Sequence, residues 1–178
     1  TAALTPETAA VVRYAADAAH ERGVDVALDV NFRSLLWSGE QARAVLEPIA
    51  RRAAILFCSR SDARIVFGIE GEGVGVCRRL HEEMGVPTVV STDGRAGTYL
   101  STAQTDRVFD IKSVPVIDRP GAGDSFVAGT LHGWLDGDVE RGIEMGTKVA
   151  QLALTHHGDL THVRPGELQA LHGSDIVR

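Results

Sequence analysis

The chain has 178 residues, 44% of them hydrophobic, with 24 acidic and 18 basic side chains and a formal net charge of −6. This length allows a substantial core in one domain, and the lack of Lys or Arg runs excludes a basic nucleic-acid or membrane surface. No apolar run approaches the roughly 20 residues that span a bilayer, and no signal-peptide pattern begins the sequence, so we expect a cytoplasmic protein. The two cysteines, Cys58 and Cys77, indicate reduced thiols rather than a disulfide framework.

The order of the predicted elements indicates an α/β fold. Thr5 and Pro6 mark the N-cap and first turn of a helix that ends near Arg22. Helical patterns separate the next apolar runs, which predicts crossover connections and a mainly parallel sheet. The predicted strands are residues 24–30, 53–57, 86–91 and 98–101. Helices complete the chain, and the last of them is predicted over residues 147–154.

Polar residues follow the first of these strands. Asp29, Asn31 and Arg33 lie at the position where ligands bind in open α/β sheets, beyond the carboxyl end of a strand. A guanidinium suits a carboxylate or a phosphate, so Arg33 is a candidate for either group. The alternative is that Asp29 and Asn31 only form a turn and that Arg33 is a solvated charge.

Three later segments have a structural explanation from their own residues. Ser59, after the second strand, is a candidate N-cap of a helix over residues 62–67. The glycine-bearing turn from Thr92 to Gly97 is explained by a hairpin alone. His156 and His157 follow the last helix, and because neighbouring residues do not share a helix face we predict no metal site there.

The most informative segment runs from Asp118 to Leu135 and joins a glycine-rich turn to a helix. Gly121 and Gly123 allow the backbone to bend sharply and to approach a ligand closely, so the unpaired amides of the helix start can face an anion. Asp124 lies in the first turn, where the helix dipole favours its charged form, which can accept a proton. A flexible loop with an N-capping aspartate is the alternative.

The residues on either side of this turn predict a strand before it and an amphipathic helix after it. The predicted strand contains Val114, Val116 and Ile117. The predicted apolar stripe of the helix contains Val127, Leu131, Trp134 and Leu135. Small residues on the same helix predict close packing against a neighbour, and these are Ala122, Ala128, Gly129 and Gly133.

The turn carries a resemblance to a known family. Asp118 and the run from Gly121 to Phe126 match the D-T-T-G-A-G-D-[AS]-F motif of the ribokinase-like (PfkB) carbohydrate kinases, and the chain resembles that family over nearly its whole length. Arg119 and Pro120 replace the two threonines, which resembles the sugar-acid branch. The resemblance implies that Asp124 is the catalytic base and that the amides of Gly121, Ala122 and Gly123 form the anion hole.

The segment after the first strand narrows the implied substrate. Asp29-x-Asn31-x-Arg33-x-x-Leu36-Trp37 is similar to a signature shared by 2-keto-3-deoxygluconate kinases and bacterial fructokinases. By this resemblance, Asp29, Asn31, Arg33 and Asp124 contact the sugar. The implied reaction is ATP-dependent phosphorylation of a sugar or sugar-acid hydroxyl, with 2-keto-3-deoxygluconate as the expected substrate.

The resemblance also implies a nucleotide site, with two departures from the family pattern. Ser59 and Asp62 replace the ends of a family N-x-x-E motif, and Thr92 replaces the basic residue of a K-x-G-x-x-G turn. The residues implied to lie near the nucleotide are Ser59, Thr92, Gly94, Gly97, Gly121, Gly123 and His156. We expect ATP with Mg²⁺ held through its phosphates and no metal held by the protein itself. Asp118 is a candidate for K⁺ by resemblance only.

The implied architecture is a three-layer ribokinase-like fold with a mainly parallel sheet. Residues 1–178 resemble the C-terminal, nucleotide-binding portion of a single kinase domain that lacks the N-terminal strands and lid, so we expect little activity from the isolated chain. Fructokinase, another sugar or nucleoside kinase, and a non-catalytic nucleotide-binding relative stay open as alternatives. The expected partners are ATP and a sugar. The sequence does not predict the oligomeric state, because members of the family often dimerise through the lid.

Overall fold

The computed structural model describes residues 5–160, 163, 164 and 166, and it has an α/β architecture. The chain forms two compact units, Thr1–Asp110 and Ile111–Arg178, each of which is described by itself. No helix within the described ranges combines the length and the apolar character that a membrane span requires.

The first unit contains four α-helices, which precede or separate its first three strands along the chain. They are α1 (Pro6–Glu21), α2 (Gly39–Ala50), α3 (Arg60–Phe67) and α4 (Val74–Met84). The predicted cap of α1 is confirmed, because the Thr5 hydroxyl accepts a hydrogen bond from the Thr8 amide at 3.2 Å. Ser38 caps α2 in the same way through the amide of Gln41. A hydroxyl at each helix start therefore satisfies an amide that the helix itself leaves unpaired.

Five strands form one sheet in the first unit. They are β1 (Ala27–Asp29), β2 (Ile55–Ser59), β3 (Thr88–Thr92), β4 (Thr98–Thr102) and β5 (Asp106–Phe109), and they lie in that order. The pairs β1–β2 and β2–β3 are parallel, whereas β4 is antiparallel to both β3 and β5. Four of the five strands therefore run in one direction, which confirms the mainly parallel sheet. Sequence patterns did not predict β5.

The core of the first unit lies between the sheet and helices α2 to α4. Leu56 and Cys58 of β2 and Val89 of β3 face it, together with Leu80 of α4. All four side chains are at most 2% exposed. The two strands are buried along nearly their whole length, as expected for strands covered on both faces of a sheet.

The second unit is built on a pair of helices, α5 (Ala122–Leu135) and α6 (Val139–Leu154). Their backbones meet at glycines: a Cβ atom on Gly129 would lie 2.5 Å from the Cα of Gly146, and Gly133 and Gly142 oppose each other in the same way. The prediction that small residues of α5 allow close packing is confirmed for Gly129 and Gly133. Thr130, which is fully buried between the helices, donates to the carbonyl of Phe126 at 2.9 Å.

The helix predicted after the turn is confirmed as α5, but the predicted apolar stripe is not its most buried face, since Val127, Leu131 and Trp134 are only partly buried. The buried residues of this helix are Phe126, Gly129, Thr130 and Gly133, whereas Leu135 of the stripe is 76% exposed. The glycines explain the difference, because only side chains this small let α6 approach the backbone of α5. The larger apolar residues consequently lie on the remaining faces of the helix.

The strand predicted over Val114, Val116 and Ile117 was also wrong. This segment is irregular, and Val116 and Ile117 are 44% and 54% exposed. The amides of Ile117 and Asp118 both donate to the carbonyl of Leu154, at the end of α6. β-branched residues favour a strand only when another strand offers a row of partners, and the described part of the second unit contains helices alone.

Candidate functional site

The start of α5 presents unpaired backbone amides. Gly121 precedes the helix with a left-handed φ of 76°, and its carbonyl accepts from the Ser125 amide at 2.8 Å. The Ala122 amide makes a long hydrogen bond of 3.4 Å to the carbonyl of Arg119, whereas the amides of Gly123 and Asp124 donate to no other residue within the described part of the chain. The Asp124 side chain is exposed in the same first turn. Free donors and a free carboxylate therefore share one helix start, where the backbone favours an anionic ligand.

The two glycines of this turn differ in what the fold requires of them. A Cβ atom on Gly121 would overlap the backbone of Asp159, and its positive φ is unfavourable for other residues. A Cβ atom on Gly123 would meet nothing within 4 Å. Packing thus explains Gly121, whereas it leaves Gly123 unexplained.

Asp118 holds the turn to the segment after α6. Its Oδ1 accepts from the Arg119 amide at 2.9 Å and its Oδ2 accepts from the Gly158 amide at 3.1 Å. These hydrogen bonds, that from Gly158 first, lower the pKa of the Asp118 carboxyl from its usual value. Asp118 therefore has a structural role in the second unit, and the monovalent cation stays a prediction.

His156 is held at the C-terminal end of α6. Its Nδ1 lies 2.8 Å from the carbonyl oxygen of Leu152 and 3.2 Å from the Thr155 hydroxyl. The bond to Leu152 satisfies one of the carbonyls that a helix end leaves free, so this ring nitrogen is already engaged. Contact between His156 and a nucleotide stays a prediction.

The candidate substrate segment begins at the end of β1. Asp29 is the last residue of this strand, and Asn31 is the one non-glycine residue in the described ranges with a positive φ, 40°. Asparagine tolerates this conformation better than most residues, so the turn interpretation is supported at Asn31. Arg33 is exposed, and its carbonyl accepts from the Leu36 amide at 2.9 Å. The guanidinium of Arg33 therefore extends from an ordered turn.

Asp62, in the first turn of α3, contacts this segment, and sequence reasoning missed the contact. The half-buried carboxylate accepts a hydrogen bond from the Phe32 amide at 3.4 Å. Desolvation by burial raises the pKa of Asp62, and hydrogen bonds from Phe32 and Ser59 and the charge of Arg33 only partly oppose this effect. A charged group is thus kept in the structure at a cost in stability, which is typical of functional carboxylates.

We expect Asp62→Asn to raise the melting temperature at pH 7 by a few degrees. The asparagine oxygen keeps an acceptor for the Phe32 amide and removes the cost of burying a charge. The pKa of Asp62 in the folded protein is raised above 3.8, so protonated Asp62 stabilises the wild type relative to the unfolded chain at low pH. This contribution to stability is lost as the pH rises through the folded pKa. The gain should therefore shrink in melts at pH 3.5. Asp62→Ala, which removes the acceptor as well, is the control, and a less stable Asp62→Asn protein at pH 7 would contradict the expectation.

The candidate nucleotide residues of the first unit lie at two neighbouring strand ends. Ser59 and Thr92 are register partners at the carboxyl ends of β2 and β3. The predicted N-cap is confirmed, since the Ser59 hydroxyl accepts from the Asp62 amide at 3.1 Å. Gly94 and Gly97 form the predicted turn with φ values of 53° and 143°. These residues therefore lie at or just beyond one edge of the sheet, and their contact with a nucleotide stays a prediction.

Arg60 is a second residue that sequence reasoning left without a role. Its guanidinium contacts Asp93, in the turn after β3, and Gly71, in the loop between α3 and α4. These residues line a cavity of about 540 Å³, whose wall also contains Ser61, Arg64, Ile69, Glu70 and Glu72. No local pattern could reveal the contact, because 33 residues separate Arg60 from Asp93.

The described side chains do not form a cage for a divalent metal. No group of three or more His, Cys, Asp or Glu side chains with suitable geometry occurs in the ranges that the structure covers. The residues present therefore do not fit a magnesium ion held by the protein alone, whereas the free amides at the start of α5 suit a phosphate.

Both cysteines are buried free thiols, as the sequence indicated. Burial raises the pKa of Cys77 to about 12 and that of Cys58 well above its usual value, so neither is a reactive thiolate at neutral pH.

Comparison with known proteins decides the family. The model of the pfkB family carbohydrate kinases matches residues 3–164. The chain belongs to this family. Among its pfkB relatives, the 2-dehydro-3-deoxygalactonokinase of Haloferax volcanii is 32% identical over 159 residues, which are 88% of this chain and 50% of that protein. The chain thus spans about half the length of this curated relative.

Solved pfkB structures confirm the ribokinase-like fold. The 2-dehydro-3-deoxygluconokinase of Thermotoga maritima has a TM-score of 0.80 at 25% identity, covering 93% of this chain and 55% of that one. A fructokinase double mutant from Vibrio cholerae, solved with fructose, ADP and potassium ion, has a TM-score of 0.82 at 22% identity. It covers 95% of this chain and 57% of that one, and at this identity the likeness shows the fold alone.

Proposed function

We propose that this chain is the nucleotide-binding part of a cytoplasmic kinase that transfers the γ-phosphoryl group of ATP to a hydroxyl of a 2-keto-3-deoxy sugar acid. The observation that carries the proposal is the start of α5, where unpaired amides and the exposed Asp124 carboxylate occur together. Membership of the pfkB family supports the reaction class. The Haloferax and Thermotoga relatives, which are named for 2-dehydro-3-deoxy sugar acids, support the substrate class.

The proposed mechanism gives each part of the turn one task. The Asp124 carboxylate accepts the proton of the sugar hydroxyl as that oxygen forms a bond to the γ-phosphorus. The bond from the γ-phosphorus to the bridging oxygen breaks, and ADP leaves with the electron pair. The amides of Gly121, Ala122 and Gly123 stabilise the charge on the transferring group, and positioning and electrostatics supply most of the catalysis in such reactions. Mg²⁺ would reach the site on the nucleotide phosphates, where it neutralises charge.

The substrate proposal is tested by ADP release from the full-length gene product with ATP and Mg²⁺. We expect 2-keto-3-deoxygluconate or its galactonate epimer to be used in strong preference to fructose at equal concentration. Turnover of fructose alone would keep the kinase and overturn the sugar-acid assignment. Nucleotide binding without turnover of any of these compounds would instead favour a non-catalytic relative.

Arg33 provides the matching variant test. We expect Arg33→Gln to raise KM for the sugar acid about 10- to 100-fold, the loss that follows from removing a charge-assisted hydrogen bond of about 1.5–3 kcal/mol. Steady-state kinetics with the sugar acid and with ATP separate substrate binding from a general defect. Arg43→Gln is the control, since Arg43 is an exposed arginine paired with Glu47 on α2. An equal effect of both variants would remove Arg33 from the substrate site.

A further inference from the structure

Arg60 joins three separate segments of the first unit. Its Nε donates to the carbonyl of Gly71 at 2.9 Å, and its Nη1 donates to Oδ2 of Asp93 at 3.0 Å. A second carboxylate, on Glu72, lies 3.5 Å from Nη2. The guanidinium, at the start of α3, thus holds both the glycine-bearing loop before α4 and the turn after β3.

Asp93 is the residue on which this contact acts. Its amide donates to the carbonyl of Gly97 at 3.0 Å and its carbonyl accepts from the Ala96 amide at 2.9 Å, so its backbone closes the turn. The side chain of Asp93 is 24% exposed and that of Arg60 is 42% exposed, which leaves the ion pair partly shielded. Two residues of this closed turn, Gly94 and Gly97, have positive φ values of 53° and 143°, which favour glycine. A turn with two such glycines loses much backbone freedom when a ligand orders it.

We infer that Arg60 is a positioning residue for the nucleotide, acting through Asp93 on the turn from Thr92 to Gly97. This rests on the proposed kinase function and adds a residue to it. In the similar family turn a basic residue occupies the position of Thr92, which carries no charge here. Arg60, which follows the end of β2, places its guanidinium against Asp93, the residue after Thr92. By holding the turn before the nucleotide arrives, the ion pair reduces the ordering that binding would otherwise require.

The chain offers a close control. Arg79 on α4 donates to the carbonyl of Glu70 at 2.9 Å and pairs with Glu83, so it contacts the same loop one residue before Gly71. The contacts of Arg79 do not include Asp93. Arg79→Gln therefore reports any effect of loosening the loop alone.

The experiment measures ADP binding by calorimetry and KM for ATP and for the sugar acid in the full-length gene product. We expect Arg60→Gln and Asp93→Asn each to raise Kd for ADP and KM for ATP about 3- to 10-fold, with the sugar KM unchanged and Arg79→Gln near wild type. The double variant should be no weaker than either single one, because both remove one interaction. Arg60→Lys, which keeps the charge, should recover part of the affinity, while melting curves show that all variants are folded.

The outcomes separate this inference from the function on which it rests. Wild-type ADP binding that Arg60→Gln leaves unchanged, or reduces only as much as Arg79→Gln does, overturns the role of Arg60 and keeps the kinase. Additive losses in the double variant also overturn it, because Arg60 then does not act through Asp93. A wild-type protein that binds no ADP removes both the nucleotide site and the positioning role.

Discussion

Replacement of Asp124 by asparagine should lower kcat of the full-length gene product about 10²- to 10⁴-fold, the usual contribution of a general base. Asparagine keeps the size of the side chain and cannot accept the hydroxyl proton. Asp124 is exposed at the first turn of α5, so the change should leave the fold intact. Turnover is measured by ADP release, and Kd for ADP should stay close to that of the wild type.

The control for this variant lies at the other end of the same helix. Asp136 follows α5, and its exposed carboxylate lies 4.0 Å from the ring of His132. Asp136→Asn removes an equivalent charge without touching the glycine-rich turn, and we expect wild-type turnover. If Asp124→Asn also turned over at the wild-type rate, Asp124 would not be the base.

We expect Gly121→Ala to reduce stability, whereas Gly123→Ala should reduce turnover without reducing stability. Gly121→Ala should destabilise the second unit by about 1–3 kcal/mol, because the added methyl group meets the backbone of Asp159 at a positive φ. Gly123→Ala adds its methyl group in open space, so the melting temperature should be unchanged or slightly raised. Turnover of Gly123→Ala should nevertheless fall about 10²- to 10³-fold, since the methyl group occupies the approach of the phosphoryl group to the amides.

Melting curves and kcat of the two variants are read together. A stable and fully active Gly123→Ala protein would mean that no ligand approaches the start of α5, and the anion-hole proposal would fail. Loss of activity in Gly121→Ala alone would not support the proposal, because the fold already explains that glycine. The pair thus distinguishes a structural glycine from a functional one two residues away.

Local chemistry predicted the parts of the fold that depend on neighbouring residues. Thr5 and Ser59 cap helices as their side chains suggested, because a hydroxyl and an unpaired amide three residues away suffice. Strands β2 and β3 were predicted because their apolar runs are buried throughout. Strand β5 was missed because Asp106–Phe109 is short and only partly buried, and it forms through pairing with β4.

Some features of the candidate site could likewise be predicted from neighbouring residues, whereas others depend on residues far apart in the sequence. The glycine turn before α5 and the residues after β1 follow directly from their own sequence. The contacts of Asp62 with Phe32 and of Arg60 with Asp93 join residues that lie 30 and 33 positions apart. The strand predicted at Val114 to Ile117 failed for a related reason, since strand formation needs partners that no local pattern supplies.

The glycine contacts between α5 and α6 set a distance that side chains cannot adjust. Most helix pairs absorb sequence change by repacking, because the side chains between them vary in size and rotamer. Here Gly129 and Gly146 bring the two main chains together directly, so substitutions on the outer faces leave the helix spacing as it is. Substitutions at other positions of the second unit can therefore change its surface, while the turn at the start of α5 keeps the same position relative to α6.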